Sequence, residues 1–210
     1  MADAALTVLA IALAYVLGSV PTGLWLGLAV KGVDIRQRGS GNIGATNTLR
    51  VLGKKWGAVA LAGDAGKGFL SVVLVSQVSA WPYAPLACGL AAIFGHTASV
   101  FCDFKGGKGV ATSAGVFLAL SPVLLVIGLA AFAIMVAATH MVSAGSVSAA
   151  VIIAVAAWLV PHRIATLPGN LVPAGFNVLP LVVTALTVVV IVKHRANLHR
   201  ILRGEENKLF

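Results

Sequence analysis

Long apolar runs separated by short polar segments form the pattern of this chain. A run of about 20 apolar residues is long enough to cross a bilayer as a helix. Because lipid offers the backbone no hydrogen-bond partners, a spanning run must be a helix or part of a closed barrel. We therefore predict an all-α, polytopic membrane helical bundle with about seven transmembrane helices. The seven runs cover residues 4–30, 56–80, 84–101, 110–120, 123–139, 147–160 and 178–192.

The fourth run leaves the number of crossings open. It covers residues 110–120 and is too short to span a bilayer unaided. Ser121 and Pro122 separate it from the fifth run, and the two together could form one re-entrant or broken element, which gives five crossings with the same parity. Within the first run, the stretch from Gly18 to Gly23 contains Pro21 and predicts a kink that lets the bundle pack closely.

The composition agrees with a membrane protein of one domain. Hydrophobic residues make up 59% of the 210 residues and charged residues only 10%, whereas a soluble domain carries about 25% charged residues. No linker or low-complexity segment divides the chain, so we expect a single domain over residues 1–210. The net charge of +9 comes from cations between the apolar runs, which suits anionic headgroups or phosphorylated substrates better than nucleic acid.

The distribution of cations predicts the topology. Asp3 precedes the first run and Lys31 follows it, which is unlike a signal peptide. The positive-inside rule therefore places the N-terminus outside and Lys31 in the cytoplasm. With seven crossings the C-terminus is cytoplasmic, and 13 of the 15 cations are then cytoplasmic. Lys67 lies within the second run, and Arg163 is the one cation outside.

The first polar segment with candidate chemistry is GSGNIGATNTLR, residues 39–50. Its glycines let the backbone approach a ligand, and its side chains are rich in donors without nearby carboxylates. Such a segment is typical of a phosphate-binding site. The alternative is an ordinary solvated loop with helix caps. The candidate phosphate-binding residues are Ser40, Gly41, Asn42, Thr46 and Arg50, with Asn47 as a further donor.

The second segment is GHTASVFCDFKGGKGVAT, residues 95–112. Its glycines and lysines predict a phosphate cradle that opens a helix at Val110, although the spacing is not that of a Walker A loop. His96 lies inside a membrane run, where a histidine is a functional candidate by default. The alternative for His96 is a structural hydrogen bond to a neighbouring helix. The candidate phosphate-binding residues are Lys105, Gly106, Gly107, Lys108, Gly109 and Thr112.

The third segment is the basic tail, residues 193–208, which could be no more than a stop-transfer signal. His194 and Asn197 nevertheless lie at the membrane edge, where they could reach the other two segments.

Two features outside these three segments are weaker signals of function. Asp64 and Lys67 are three residues apart and predict an intrahelical ion pair. Ser146, with Ser148, is expected to face one side and contact substrate.

Together these residues resemble the bacterial acyl-phosphate:glycerol-3-phosphate acyltransferase family, PlsY. The resemblance runs in order from about residue 18 to residue 208. Its motifs are GSxPxG, GSGNxGATNxxR, DxGKG, GHxxSVFxxFKGGKGVAT and HRxNxxRxxxGxE. Members are small polytopic inner-membrane proteins with the site at the cytoplasmic face. They transfer an acyl group from acyl phosphate to glycerol 3-phosphate, giving lysophosphatidic acid and phosphate.

The resemblance implies roles for single residues. Ser40 and Arg50 would bind and position phosphate, and the Lys105–Gly109 loop would hold a second phosphate; which loop serves which substrate is open. Ser40, His96, His194 and Asn197 would form the reacting centre. The resemblance implies no metal, no other cofactor and no obligate protein partner, so the partners are the two substrates and membrane lipid.

The reaction needs little beyond placement, since a mixed anhydride is already activated. His96 or His194 is a candidate general base, and a phosphate oxygen of the substrate is the alternative. Asp103 lies seven residues after His96, which is not the five-residue His–Asp spacing of soluble and peripheral glycerolipid acyltransferases. Two other functions remain open from the residues alone: a small phosphate or organic-anion transporter, and a structural subunit. A transporter should have charged residues near the membrane midplane.

Overall fold

The computed structural model describes residues 2–159 and 178–209, and this part of the chain is entirely helical apart from turns and loops. It divides into two compact units, Met1–Leu120 and Ser121–Phe210. Unit 1 contains six of the α-helices and unit 2 contains four. The helices are α1 (Ala2–Ser19), α2 (Thr22–Lys31), α3 (Ala45–Leu52), α4 (Lys54–Val73), α5 (Ala84–Thr97), α6 (Val110–Leu120), α7 (Pro122–Thr139), α8 (Val142–Leu159), α9 (Leu179–Lys193) and α10 (Arg195–Leu202).

The first apolar run is broken where the sequence predicts a kink. Helix α1 ends at Ser19 and α2 begins at Thr22, with Pro21 between them. Proline has no amide hydrogen and its ring clashes with the preceding turn, so the helical hydrogen bonds cannot continue through it. The break leaves the carbonyl oxygen of Val20 outside the regular pattern, and a side chain from another helix uses it, as described below.

Glycines allow the helices of unit 1 to pack with their backbones in contact. A Cβ at Gly18 would overlap the backbone of Ala92, which joins α1 to α5. A Cβ at Gly115 would overlap the backbone of Ala65, which joins α6 to α4. Close approach through small residues is typical of helix pairs in membranes, where packing rather than exclusion of water drives association.

Unit 2 corrects the sequence analysis at the start of the sixth run. The polar stretch before it is helical, because α8 begins at Val142 rather than at residue 147. Ser146 and Ser148 therefore lie on a regular helix, two positions and about 200° apart. The prediction that these two serines face the same side is wrong. Helix α9 forms over the β-branched last run as predicted, and Thr187 Oγ1 on α9 donates to the Ala150 carbonyl of α8 at 3.0 Å.

The predicted membrane bundle is confirmed, while the number of crossings stays a prediction. Among the described residues, five helical segments are long and apolar enough to cross a membrane, or six if α9 and α10, bent by 59°, count as one. Helix α6 has the predicted bounds but only 11 residues. The predicted loop of residues 161–177, with Arg163, lies outside the described residues. The orientation of the termini and the single domain also stay predictions.

Candidate functional site

The loop that carries Ser40 is held by the buried side chain of Asn47. Asn47 Nδ2 donates to the carbonyl oxygens of Ile35 at 2.8 Å and Arg38 at 3.1 Å. Its Oδ1 accepts from the Ser40 amide at 2.7 Å. Gly39 lies against the same oxygen at a φ of 58°, so a side chain there would have neither space nor a favourable conformation. Asn47 therefore fixes the loop instead of offering donors to an anion, which corrects the sequence analysis.

The rest of the first segment leads into the short helix α3. Asn42 Oδ1 accepts from the Gly44 amide at 2.8 Å, and Gly44 is the residue before the first turn. Thr46 is half-buried in that first turn, where helical amides favour anions. Arg50 lies in the last turn of α3, so its backbone is at the other end of this eight-residue helix from the loop. The exposed members of the predicted set are Ser40, Gly41 and Arg50.

A buried polar cluster joins α4 to α5. His96, near the end of α5, is 3% exposed, and its Nδ1 lies 2.9 Å from Lys67 Nζ. Lys67 Nζ also lies 2.8 Å from Asp64 Oδ1 and donates to the Val20 carbonyl at 2.7 Å. The predicted Asp64–Lys67 ion pair is confirmed, and the structure contains the hydrogen bond to a neighbouring helix that was the alternative for His96. Charges inside a membrane bundle need such partners.

The glycine–lysine loop packs against His96. The Gly107 amide donates to the His96 carbonyl at 2.9 Å, so this amide is already engaged. A Cβ at Gly106 would overlap that carbonyl oxygen, and a Cβ at Gly107 would overlap the Nε2 edge of the imidazole. The loop therefore lies directly on the ring because it has no side chains at these positions. Lys105 is exposed and Lys108 is half-buried.

Helix α6 begins at Val110, directly after the loop, as predicted. Gly109 has a φ of 78°, which favours glycine at the turn into the helix. Thr112 is fully buried, and its Oγ1 has no hydrogen-bond partner among the described residues. Its methyl group lies 3.2 Å from the position of a Cβ at Gly68 on α4. Thr112 thus faces α4, the helix that carries the buried ion pair.

The two glycine-rich segments of unit 1 meet at one end of the helices. Ile43 from the first segment and Cys102 from the second belong to one buried cluster with Leu24 and Ile35. The structure thus brings the Ser40 loop, the glycine–lysine loop and His96 into one region of unit 1.

Asp34, just before the Ser40 loop, is paired with Arg36 at 2.7 Å. This side-chain hydrogen bond lowers the pKa of Asp34 below its ordinary value.

In unit 2, Glu206 organises the polar tail. Its carboxylate accepts from Ser143 Oγ at 2.7 Å and from Asn197 Nδ2 at 2.6 Å. Arg200 Nε donates to the other oxygen at 2.8 Å. Burial alone would raise the pKa of Glu206, but the hydrogen bonds from Asn197, Ser143 and Arg200 outweigh it and lower the pKa below its ordinary value. Asn197 is therefore positioned by a carboxylate of the same polar tail.

The other predicted residues of unit 2 bond to their own helices. His194 is buried, and its Nδ1 donates to the Val190 carbonyl at 2.8 Å. A carbonyl can only accept, so a neutral His194 carries its proton on Nδ1 and its Nε2 is an acceptor. Ser146 Oγ donates to the Val142 carbonyl at 2.9 Å, the usual way in which a helix satisfies a buried hydroxyl.

Sequence reasoning missed three connections that the structure makes. It did not link Lys67 to His96, nor Asn47 to the backbone of its loop, nor Glu206 to Asn197. Only the link from Glu206 to Asn197 had a usable signal in the sequence. Gly204 precedes Glu206 and can reverse the chain direction, which would bring the carboxylate back toward Asn197. Among the described residues there is no group of three or more His, Cys, Asp or Glu side chains that could hold a metal ion.

The membrane-length helices, and a buried histidine set beside a glycine–lysine loop, define an integral membrane protein with an enzyme-like polar site. The sequence model of the family described as glycerol-3-phosphate acyltransferase matches residues 8–204. A glycerol-3-phosphate acyltransferase from Trichlorobacter lovleyi is 43% identical over 198 residues, 94% of this chain and 95% of that protein. Another, from Enterococcus faecalis, is 43% identical over 202 residues, 96% of this chain and 91% of that protein.

Two crystal structures of PlsY (YgiH), an integral membrane glycerol 3-phosphate acyltransferase, are similar to the chain. The glycerol 3-phosphate form has a TM-score of 0.82 at 32% identity and covers 97% of this chain and 96% of its own. The lysophosphatidic acid form has a TM-score of 0.81 at 31% identity and covers 97% of this chain and 95% of its own. The chain belongs to the glycerol-3-phosphate acyltransferase family and is an integral membrane enzyme of phospholipid synthesis. The transporter is not favoured.

Proposed function

We propose that the enzyme transfers a fatty acyl group from acyl phosphate to the sn-1 hydroxyl of glycerol 3-phosphate, giving lysophosphatidic acid and inorganic phosphate. The observation that carries the proposal is the contact of the Gly106–Gly107 backbone with His96. It sets the loop that carries Lys105 and Lys108, the candidate phosphate-binding cations, directly beside an imidazole. The glycerol 3-phosphate and lysophosphatidic acid forms of the similar PlsY structures support a substrate and product of these classes.

The residues have the following proposed roles. Lys105 and Lys108 hold one phosphate with backbone amides of Gly106 and Gly109. The set Ser40, Gly41, Asn42, Thr46 and Arg50 holds the other. Thr112 and Ser146 complete the binding residues. Ser40, His96, His194 and Asn197 act at the reacting centre; for the last two, the proposal rests on the motif of residues 194–206.

The proposed reaction is a direct transfer. The hydroxyl oxygen of glycerol 3-phosphate attacks the acyl carbonyl carbon, the bond from that carbon to the phosphate oxygen breaks, and phosphate leaves with the electron pair. The hydroxyl proton passes to a phosphate oxygen or to a histidine. Because acyl phosphate is already activated, the charges that bind it also stabilise its departure. No metal or other cofactor and no protein partner is needed for these steps.

The test is a donor-resolved assay with purified protein in detergent. Palmitoyl phosphate, palmitoyl-CoA and palmitoyl–acyl-carrier protein are supplied separately with labelled glycerol 3-phosphate, and lysophosphatidic acid is scored. We expect product from palmitoyl phosphate alone. Analysis of the position of the acyl group in the product should place it at sn-1. Turnover with either thioester and none with palmitoyl phosphate would refute the donor while leaving the family activity intact.

We further propose that the protein lies in the bacterial cytoplasmic membrane as one domain, with its N-terminus outside and its C-terminus and active site at the cytoplasmic face. Thirteen of 15 cations are cytoplasmic in this arrangement. Alkaline phosphatase fused after residue 209 should be inactive, and a fluorescent protein fused there should fluoresce. The opposite pair of results would reverse the orientation.

A further inference from the structure

We propose that Lys67, held by Asp64 and the Val20 carbonyl, fixes His96 in the tautomer with its proton on Nε2, so that His96 offers a hydrogen-bond donor, and not a base, at the Gly106–Gly107 loop. The tautomer follows from the geometry of unit 1. The use of that donor toward a phosphoryl or acyl oxygen of the substrate rests on the proposed function.

Lys67 Nζ has three close polar neighbours, two of them hydrogen-bond partners and one an ion-pair partner. An ammonium group has three N–H donors and no acceptor. Lys67 Nζ lies 2.7 Å from the Val20 carbonyl oxygen, 2.8 Å from Asp64 Oδ1 and 2.9 Å from His96 Nδ1. Lys67 Nζ is in contact with the Asp64 carboxylate, and an opposite charge in contact favours the charged form of each partner, so we assign Lys67 as an ammonium group. Nδ1 of His96 must therefore accept, because an ammonium group cannot receive a hydrogen bond.

The alternatives for the imidazole conflict with the same distances. A proton on Nδ1 would point at the ammonium group of Lys67, whose nitrogen lies 2.9 Å from Nδ1 and has no lone pair to accept it. Asp64 Oδ1 lies 3.6 Å from Nδ1, which is beyond a good hydrogen bond. A doubly protonated ring would in addition place two cations in contact within a buried site. The neutral ring with its hydrogen on Nε2 is the form in which Nδ1 can accept from the Lys67 ammonium group.

Nε2 is the edge of the ring that meets the glycine–lysine loop. A Cβ on Gly107 would overlap Nε2, and the Gly107 amide bonds to the His96 carbonyl. A donor N–H at this edge can hydrogen-bond to an anion that the cations Lys105 and Lys108 attract, whereas the lone pair of an unprotonated Nε2 would repel it. Lys67 and Asp64 are therefore positioning residues for His96. The donor role leaves the proton of the attacking hydroxyl to a phosphate oxygen of the substrate.

The first experiment reads the tautomer without substrate. Protein labelled with 15N-histidine in detergent is examined by long-range 1H–15N correlation, and the His96 signals are assigned as those missing from His96→Gln. We expect a protonated Nε2 and an unprotonated, hydrogen-bonded Nδ1 across pH 6–8. A proton on Nδ1 in the unmodified protein would overturn the inference even if the enzyme is fully active with palmitoyl phosphate.

Two variants then test the cause. Asp64→Asn/Lys67→Met removes both charges together, so no unpaired charge is buried, and it should give a mixture of tautomers. Lys54→Met is the matched control, since Lys54 begins the same helix and is exposed. An unchanged His96 spectrum in the double variant would show that Lys67 does not set the tautomer.

Kinetics separate a donor from a base. Gln carries an N–H near the position of Nε2 but cannot take up a proton. His96→Gln should therefore keep at least tenfold more kcat than His96→Ala. Equal losses in the two variants, with the expected spectrum, would refute the donor role alone. Lack of turnover with every acyl donor in the unmodified protein would instead count against the proposed function.

Discussion

The contact between the Gly106–Gly107 loop and His96 predicts that a single added methyl group will disable the enzyme. In Gly106→Ala the new Cβ would overlap the His96 carbonyl oxygen and lie 2.8 Å from the carbonyl carbon of Thr97. Ordinary contacts begin at 3.4 Å. Both obstacles are backbone, which cannot rotate away as a side chain can. The loop must therefore move off α5 by more than half an ångström.

The size of the effect follows from that displacement. A misplacement of about 1 Å in a catalytic arrangement can cost on the order of 100-fold in rate, so kcat/KM should fall by about that factor. The assay is lysophosphatidic acid formation from palmitoyl phosphate. Gly66→Ala is the control, because a Cβ at Gly66 in α4 meets nothing within 4 Å and alanine favours a helix by about 0.5–1 kcal/mol. A Gly106→Ala enzyme with the kcat/KM of the Gly66→Ala enzyme would refute the close contact.

Three further predictions follow from the described contacts. Arg50→Ala and Lys108→Ala should each lower turnover at least tenfold while the protein stays membrane-inserted; normal activity in both would refute the phosphate-binding roles, and exposed Lys54→Ala serves as the control. Asn47→Ala leaves the Ser40 amide and two carbonyls without their partner, so thermal unfolding should show a loss of about 1–3 kcal/mol, and an unchanged melting temperature would contradict it. Glu206→Gln should destabilise the protein at pH 7 by about 1–3 kcal/mol. Because the folded pKa of Glu206 is lowered, its stabilisation is present above the ordinary pKa and is lost as the pH falls through the folded value; melting temperatures of the two proteins should therefore converge in acid, and a constant difference would exclude the carboxylate as the cause.

The sequence predicted the helices well where residues that break helices bound them. Helix α6 matches its predicted bounds because Gly109 and Ser121-Pro122 lie just outside them. Helix α8 starts earlier than predicted because serine and glycine were taken as signs of a loop. Inside a bundle these small residues allow close packing: a Cβ at Gly145 would lie 2.6 Å from a methyl carbon of Val136 on α7. Polarity alone thus misplaces a helix start in a membrane protein.

The site was predictable segment by segment but not in its connections. Motifs gave Ser40, His96 and the glycine–lysine loop, because glycine and cation patterns are local. Helical spacing gave the Asp64–Lys67 pair for the same reason. The hydrogen bond from Lys67 to His96 spans 29 positions, and it depends on which helices pack together. That packing includes contacts such as Gly89 of α5 with Val72 of α4, for which no local rule exists.

The kink and the buried ion pair, which the sequence showed as separate features, are parts of one structure. In a continuous helix the Val20 carbonyl would accept from the amide four residues later. With Pro21 at the break, it accepts instead from the Thr22 amide and from Lys67 Nζ. A lysine deep in a membrane bundle needs such acceptors, and Asp64 supplies only one. The broken first run therefore stabilises the cation that orients His96, so a substitution that straightens this helix should disturb the site through Lys67.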